Sequence, residues 1–474
     1  MSFSQALSGL NSAASKLGVV GNNIANSQTV GFKGSGVQFA DVYAGSVGLG
    51  TRVSAVLQNF SEGNLETTNR NLDLAIAGQG FYRFQQPSGE VIYSRNGQLS
   101  MNADGDLVNA QGAKIMGYGL EDANDPFSAV AAGGEPVAIN VPSDDMPAQA
   151  TENLNLKLNL DAGEAVIPAW VDANGDTYSF NATGRLEDDS GTVVTFVDGG
   201  NTYEIGRDAN GDLVAIDQGA GTESPATALP APYASVASTF DPSDSTTYSY
   251  STSASVFDSQ GNARNLTLFY TKTGGNEWRV DARLSGGPAG APEILAEDVT
   301  TLDFNTNGTL AGGGQVNMNF ALGAEFDALD IAFNQTGTTQ FANTSTVNDL
   351  TQDGYTSGTL VGITIESNGT VMRNYSNEKS LAAGQIVLAS FRNPEGLKPE
   401  GDNGWVATEA SGQELRGIPG TGLLGTVESG AIETSNVDMA RELVEMIVTQ
   451  RAYQANSQTI KTQDEVLQTA INLR

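Results

Sequence analysis

Residues 435–474 read SNVDMARELVEMIVTQRAYQANSQTIKTQDEVLQTAINLR. No glycine follows Gly430 and no proline follows Pro419, so nothing in the stretch breaks a helix. Met439, Met446, Tyr453, Ile460 and Leu467 recur every seven residues, with Leu443 and Ile471 beside them. That spacing belongs to a helix with one apolar seam. The opposite faces carry Gln450, Asn456, Gln458, Gln463 and Gln468, which are polar but uncharged. Ser435 with Asp438 predicts a capping box at the start. A helix of about 35 residues would be about 50 Å long.

The other end of the chain carries a weaker copy of the pattern. Phe3, Leu10, Leu17 and Ile24 are spaced by seven, with Leu7, Ala14 and Gly21 in the intervening steps. This seam spans about three heptads, and Gly9, Gly18 and Gly21 each cost about 1 kcal/mol against alanine. Alone, such a helix is marginal. Two seams of one period at opposite ends of a chain predict that the ends pair. The alternative is that each helix edges an ordinary core.

Between the ends the period changes to two, and the segments read as strands. LDLAIAGQGFYRF (72–84) is followed by a Pro87-Ser88-Gly89 turn and Val91-Ile92-Tyr93. LSMNADGDLVN (99–109) predicts a hairpin at Asp104-Gly105. Further hairpins are predicted at Gly274-Gly275 and Asn368-Gly369. The stretch from about 215 to 255 is rich in Pro, Gly, Ala and Ser and reads as loops. Residues 145–350 show the least regular pattern.

Composition excludes much chemistry. The 474 residues contain no cysteine and no histidine. Disulfides, thiolate sites, Ser-His-Asp and Cys-His nucleophiles and nearly all zinc sites are therefore ruled out. The net charge of −32 argues against nucleic acid as a partner. It is unevenly placed: residues 1–72 carry +1 and 433–474 carry −2, leaving −31 for the middle. Nearly neutral ends can pack against copies of themselves, whereas the acidic middle suits a solvated outer surface. No apolar run approaches 18 residues, so no transmembrane helix is expected. No positive charge precedes Lys16, and no apolar core of a secretory signal follows Met1.

The acidic motifs do not make a convincing site. DANGD at 172–176 and 208–212 and NADGD at 102–106 resemble calcium loops. The twelfth position of such a loop would be Thr183 or Gly219, neither a carboxylate. Turn chemistry accounts for them better. Among 55 acidic residues, neighbours such as Asp144-Asp145 and Asp188-Asp189 arise without selecting a glycosidase pair. No phosphate-binding glycine loop is present. No catalytic, metal or cofactor residues are assigned.

Four segments resemble the bacterial flagellar rod and hook axial protein family: NNIANSQTVGFK (22–33), the C-terminal 435–474, LDLAIAGQGFYRF, and the run from DGYTSGTLVGITI through GQIVLASFRNPEGL to GDNGWVATEASG (353–412). The last resembles hook members in particular. ASVFDSQGNARNLTLFYTKTGGNEWRV (254–280) is similar to their outer domain. The resemblance implies a mostly β fold with a terminal α-helical coiled coil and nested, discontinuous β domains. Residues 1–30 and 433–474 would form the inner helical domain, and 31–72 with 420–432 a connecting segment. Residues 73–145 with 353–419 would form a middle β domain, and 146–352 an outer one. It implies a subunit that polymerises with itself into the hook, a curved hollow tube acting as a universal joint between rod and filament. Implied partners are rod, hook-cap and hook–filament junction proteins and the flagellar type III export apparatus. The expected place is the extracellular hook, reached without a cleaved signal peptide and without membrane insertion. The assembly interface is expected at Leu7, Leu10, Leu17, Ile24, Leu443, Met446, Tyr453, Ile460 and Leu467. The nearer alternative is a distal rod subunit. From another class, a secreted acidic β-rich binding protein or a carboxylate-based hydrolase would share the composition.

Overall fold

The alternation of apolar and polar residues between the two ends is realised as strands, and each end as one helix. The computed structural model describes residues 3–472 except 45–46, 132, 168–169, 181–184, 189, 208–212, 223, 225–226, 231–232, 236 and 288–292. Helix α1 spans Phe3–Ala25 and helix α2 spans Met439–Asn472. Neither is long and apolar enough to cross a membrane. Two compact units result: Met1–Met146 with Thr359–Arg474, and Pro147–Gly358.

The first unit is built from both sequence halves. In its main sheet, Phe81–Gln85 pairs with Leu388–Ser390, Lys114–Tyr118 with Ser380–Ile386, and Val91–Ser94 with Gly404–Val406. Beside it, Asp73–Ala77 pairs antiparallel with Thr426–Ser429. Inward side chains from both halves, among them Leu74, Phe84, Ile115, Val371 and Ile386, form one core. The turns expected at Gly89, Gly105 and Gly369 are present, each glycine with φ between +81° and +89°. Only a residue without Cβ adopts that backbone freely.

The segment expected to be a connector, 31–72, contains a long antiparallel hairpin. Strand β1 (Ser35–Ala44) pairs with β2 (Val47–Gln58). A two-stranded ribbon is marginal alone. This one is supported by α1, whose Gln5 donates to Gly48 O at 2.6 Å and whose Ser8 Oγ accepts from Thr51 N at 3.2 Å.

Among the described residues, the second unit holds two separate cores. In the larger, the strand Asn153–Asp161 (NLNLKLNLD) buries Leu154, Leu156, Leu158 and Leu160 completely. They meet Leu266, Leu268, Trp278 and Val280 of a five-stranded meander that contains the expected Gly274-Gly275 hairpin. The smaller core gathers Trp170, Tyr178, Leu186, Val194 and Ile205. Entry and exit of this unit run side by side: Gln149 and Tyr355 exchange two backbone hydrogen bonds, at 2.9 and 3.0 Å. In the DANGD turn at 172–176, Asp172 Oδ1 accepts from Asn174 N and Asp176 N, and Oδ2 from Tyr178 Oη. The turn's own groups thus occupy the carboxylate. The second DANGD segment, 208–212, lies outside the described residues.

Fully buried Asp281 links two aromatic layers by pairing with Arg279 at 2.9 Å, whose guanidinium lies over Trp170 and Phe240. Burial pushes the Asp281 carboxyl up to about 6, against the opposing pull of Arg279. Between pH 4 and 6 the unfolded chain therefore releases this proton before the folded one does, and Asp281's contribution to stability falls as pH rises. Asp281→Asn should remove that slope. Denaturant unfolding of wild type and variant at pH 4 and 7 should differ in pH response by about 2 kcal/mol; identical responses would contradict the assignment.

Candidate assembly interface

The two chain ends are joined before any helix contact begins. Lys33 and Glu433 lie 400 residues apart and are both fully buried. Lys33 Nζ donates to Glu433 Oε1 and to Ser61 O, each at 2.6 Å. Gly63 N donates to the same Oε1 at 2.8 Å, and Arg95, directly after the strand Val91–Ser94 of the main sheet, pairs with Oε2 at 3.6 Å. Burial pulls the Lys33 ammonium below the ordinary lysine range and the Glu433 charge opposes that pull.

The segment NNIANSQTVGFK supplies the rest of this joint. Gly31 has φ +70° and donates its N–H to Glu433 O at 2.7 Å. A Cβ there would meet Asn96 N at 2.7 Å, so a side chain is excluded on two grounds. Asn23 exchanges two 2.9 Å hydrogen bonds with the Ser35 backbone, closing α1 onto β1. Asn436 accepts from Gly34 N at 2.9 Å and donates to Asn59 O at 2.8 Å. The cap of α2 is Asp438 and not Ser435. Asp438 Oδ1 accepts from Ala440 N and Arg441 N, and its carbonyl accepts from Glu442 N. The helix begins one residue later at Met439, so Asp438 holds the position from which a carboxylate reaches the free N–H groups.

Helices α1 and α2 pack together, but the line buried on α1 is displaced from the heptad seam. Ala6, Ala13 and Val20 are buried, together with Ser12 and Asn23. These lie one position from Leu7 and Ala14, because α1 is gripped between α2 on one side and the hairpin on the other. Small residues let the helices approach: a Cβ on Gly9 would lie 2.9 Å from Asn456 Nδ2. Lys16 pairs with Glu445 across the contact. Of the seam residues, Leu10, Leu17, Ile24, Met446 and Ile460 are half-buried. Leu7, Leu443, Tyr453 and Leu467 are exposed.

The first turns of α2 are inside out. Glu442 and Glu445 line a polar cleft with Lys16, Val20 and Asn23. Val444, Ile447 and Val448 face outward, at 62%, 51% and 61% exposure. The heptad pattern did not single these three out. The run LVEMIV (443–448) could have revealed them, since it holds more apolar residues than one seam uses. The hairpin likewise presents Phe39, Tyr43, Leu49 and Val56 outward.

Comparison with known proteins places these features in a family. Residues 4–33 match the model described as flagella basal body rod protein, and 428–473 that of the flagellar basal body rod FlgEFG protein C-terminal. Residues 75–157 match the flagellar hook protein FlgE/F/G D1 domain, and 222–355 the flagellar basal body protein FlaE D2 domain. The flagellar hook protein FlgE of Escherichia coli is 39% identical over 480 residues, covering all of both chains. The chain belongs to the flagellar hook protein family. The Salmonella typhimurium FlgE is also 39% identical over the full length of both chains. The Borreliella burgdorferi FlgE is 30% identical over 99% of this chain and 98% of its own. Both terminal family segments of this hook-family chain reach the buried joint: the first ends at Lys33, and the second contains Glu433.

Removing one partner of a buried ion pair leaves the other charge unneutralised, at a cost of about 3–5 kcal/mol. Lys33→Met should therefore destabilise the first unit by that order. Glu433→Gln should cost more, because it leaves Lys33 and Arg95 facing each other without an anion. Chemical denaturation of the two variants measures the order; equal losses, or none, would overturn the role given to the joint.

Proposed function

We propose that this hook subunit polymerises by burying the outward faces of its terminal helices against other copies, giving the curved hollow tube that couples rod to filament. The observation that carries the reading is the row of apolar side chains left uncovered on helices whose roots the joint holds. Leu7, Leu443, Tyr453 and Leu467, with half-buried Leu10, Leu17, Ile24, Met446 and Ile460, are the proposed contacts. Val444, Ile447 and Val448 extend them. Burying one such side chain is worth about 1.5–3 kcal/mol. Several per subunit, repeated along a tube, are ample for assembly.

In this reading, residues 1–30 and 433–474 form the inner layer, and 31–72 with 420–432 connect it outward. Residues 73–145 with 353–419 form the middle layer, and 146–352 the outer one. The −31 charge carried between the ends supports an outward, solvated placement for the β layers. Rod, hook-cap and hook–filament junction proteins are the proposed neighbours at the tube's ends, and the flagellar type III apparatus the proposed export route. The role is mechanical and needs no catalytic group or cofactor.

Electron microscopy of the concentrated chain tests the reading: tubes are expected. Leu443→Asp and Leu467→Asp change residues 45% and 56% exposed in the single chain. Both should leave the unfolding free energy within about 0.5 kcal/mol and abolish tubes, since each would bury a charge in an apolar contact. Gln458→Asp, on the polar face, should still assemble. Normal tubes from both leucine variants would place the contact elsewhere.

A further inference from the structure

Arg373 stands where a core residue belongs. In the strand Thr370–Tyr375, alternate residues Val371, Arg373 and Tyr375 point inward, and Arg373 is fully buried. Its Nη2 donates to Pro126 O and, at 3.4 Å, to Ala382 O. The guanidinium lies over the rings of Phe127, at 5.7 Å, and Tyr375, at 5.9 Å. Arg373 Nε and Nη1 and the Tyr375 hydroxyl are all buried without a hydrogen-bond partner among the described residues. No carboxylate there lies within ion-pair distance of Arg373. A buried cation with two idle N–H groups is costly, and a carboxylate is the partner that would neutralise it.

We infer that Arg373 and Tyr375 form a carboxylate seat whose occupant is Asp144 of the same chain. Asp144 is exposed and lines, with Pro126, a cleft of about 430 Å³. Pro126 is the residue that accepts from Arg373. The Asp144 charge raises the proton affinity of Arg373, against the larger effect of burial, and together with the Asp145 charge adds to burial in raising that of Tyr375; of the two, Asp144 lines the cleft. Asp122 and Asp125 of the 121–128 loop are engaged within their own turns. Asp122 Oδ1 accepts from Asn124 N, and Asp125 Oδ1 from Phe127 N. Asp144 also sits two residues before Met146, where the chain leaves the first unit, and Met146 Sδ is held by Asn377 Nδ2 at 3.6 Å. Seating Asp144 pins this exit segment to the sheet; releasing it frees the segment.

Hydrogen exchange on the full-length chain tests the seat. Asp144→Ala, which leaves Arg373 in place and changes an exposed residue, should speed amide exchange at 143–146 at least tenfold. Asp145→Ala should leave it unchanged. A double-mutant cycle of Asp144→Ala with Arg373→Met, read by denaturant unfolding, should show at least tenfold coupling in the unfolding constant. If Arg373→Met does not fold, Tyr375→Phe replaces it in the cycle, with at least threefold coupling expected. Unchanged exchange in Asp144→Ala, the same effect from Asp145→Ala, or strictly additive variants would overturn the proposal.

Discussion

A charge pair sealed from water and spanning 400 residues of sequence sets the terms for both ends of the chain. Lys33 and Glu433 can be buried together or not at all, since either one alone would be an unsolvated charge. The joint thus closes only when the segment after α1, the segment before α2 and Arg95 of the main sheet have all arrived. It also aims the helices. Gly31, Asn23 and Asn436 bond backbone groups within a few residues of the pair, so the directions in which α1 and α2 leave the sheet are fixed at their roots.

Beyond that root the helices are held differently from an ordinary bundle. Polar groups, Lys16 with Glu445 and Gly9 with Asn456, occupy the contact between them. The larger apolar groups of the first turns of α2, Leu443, Val444, Ile447 and Val448, are turned away from it. A single chain pays an exposure cost for this arrangement, which the proposed polymer would recover. The same logic applies to the hairpin, whose one face leans on α1 while Phe39, Tyr43, Leu49 and Val56 remain outside. In that proposal, fold stability and assembly energy would be drawn from different surfaces, so that one could be weakened without the other.

Much of this was legible in the residues. Heptad spacing located both helices, and the glycine turns at 89, 105, 274–275 and 369 located the hairpins, because each depends on local chemistry. The face α1 buries was not legible. Its heptad seam is more apolar than the Ala6, Ala13 and Val20 line, and only the hairpin packed on its other side decides between them. That hairpin was missed because its strands are interrupted by Gly36, Gly48 and Gly50 and register shifts, which blur a period of two. NLNLKLNL at 153–160 was legible and overlooked: its leucines alternate without a break. The Lys33–Glu433 pair had no local signal, since a buried ion pair between distant segments leaves no periodic trace. Arg373 is similar, an arginine in a row of core positions that reads from sequence as an ordinary surface strand residue.

The backbone bridge between Gln149 and Tyr355 has a consequence for how such chains can change over time. It brings the two cuts in the first unit side by side, so the whole of Pro147–Gly358 is a graft on a neighbouring pair of strands. Closing a loop of half or twice that length alters the entropic cost by only about 0.6 kcal/mol. Lineages can enlarge, trim or replace the inserted unit while the root of the helices stays untouched. The inserted unit is thereby uncoupled, residue by residue, from the joint that fixes the helices.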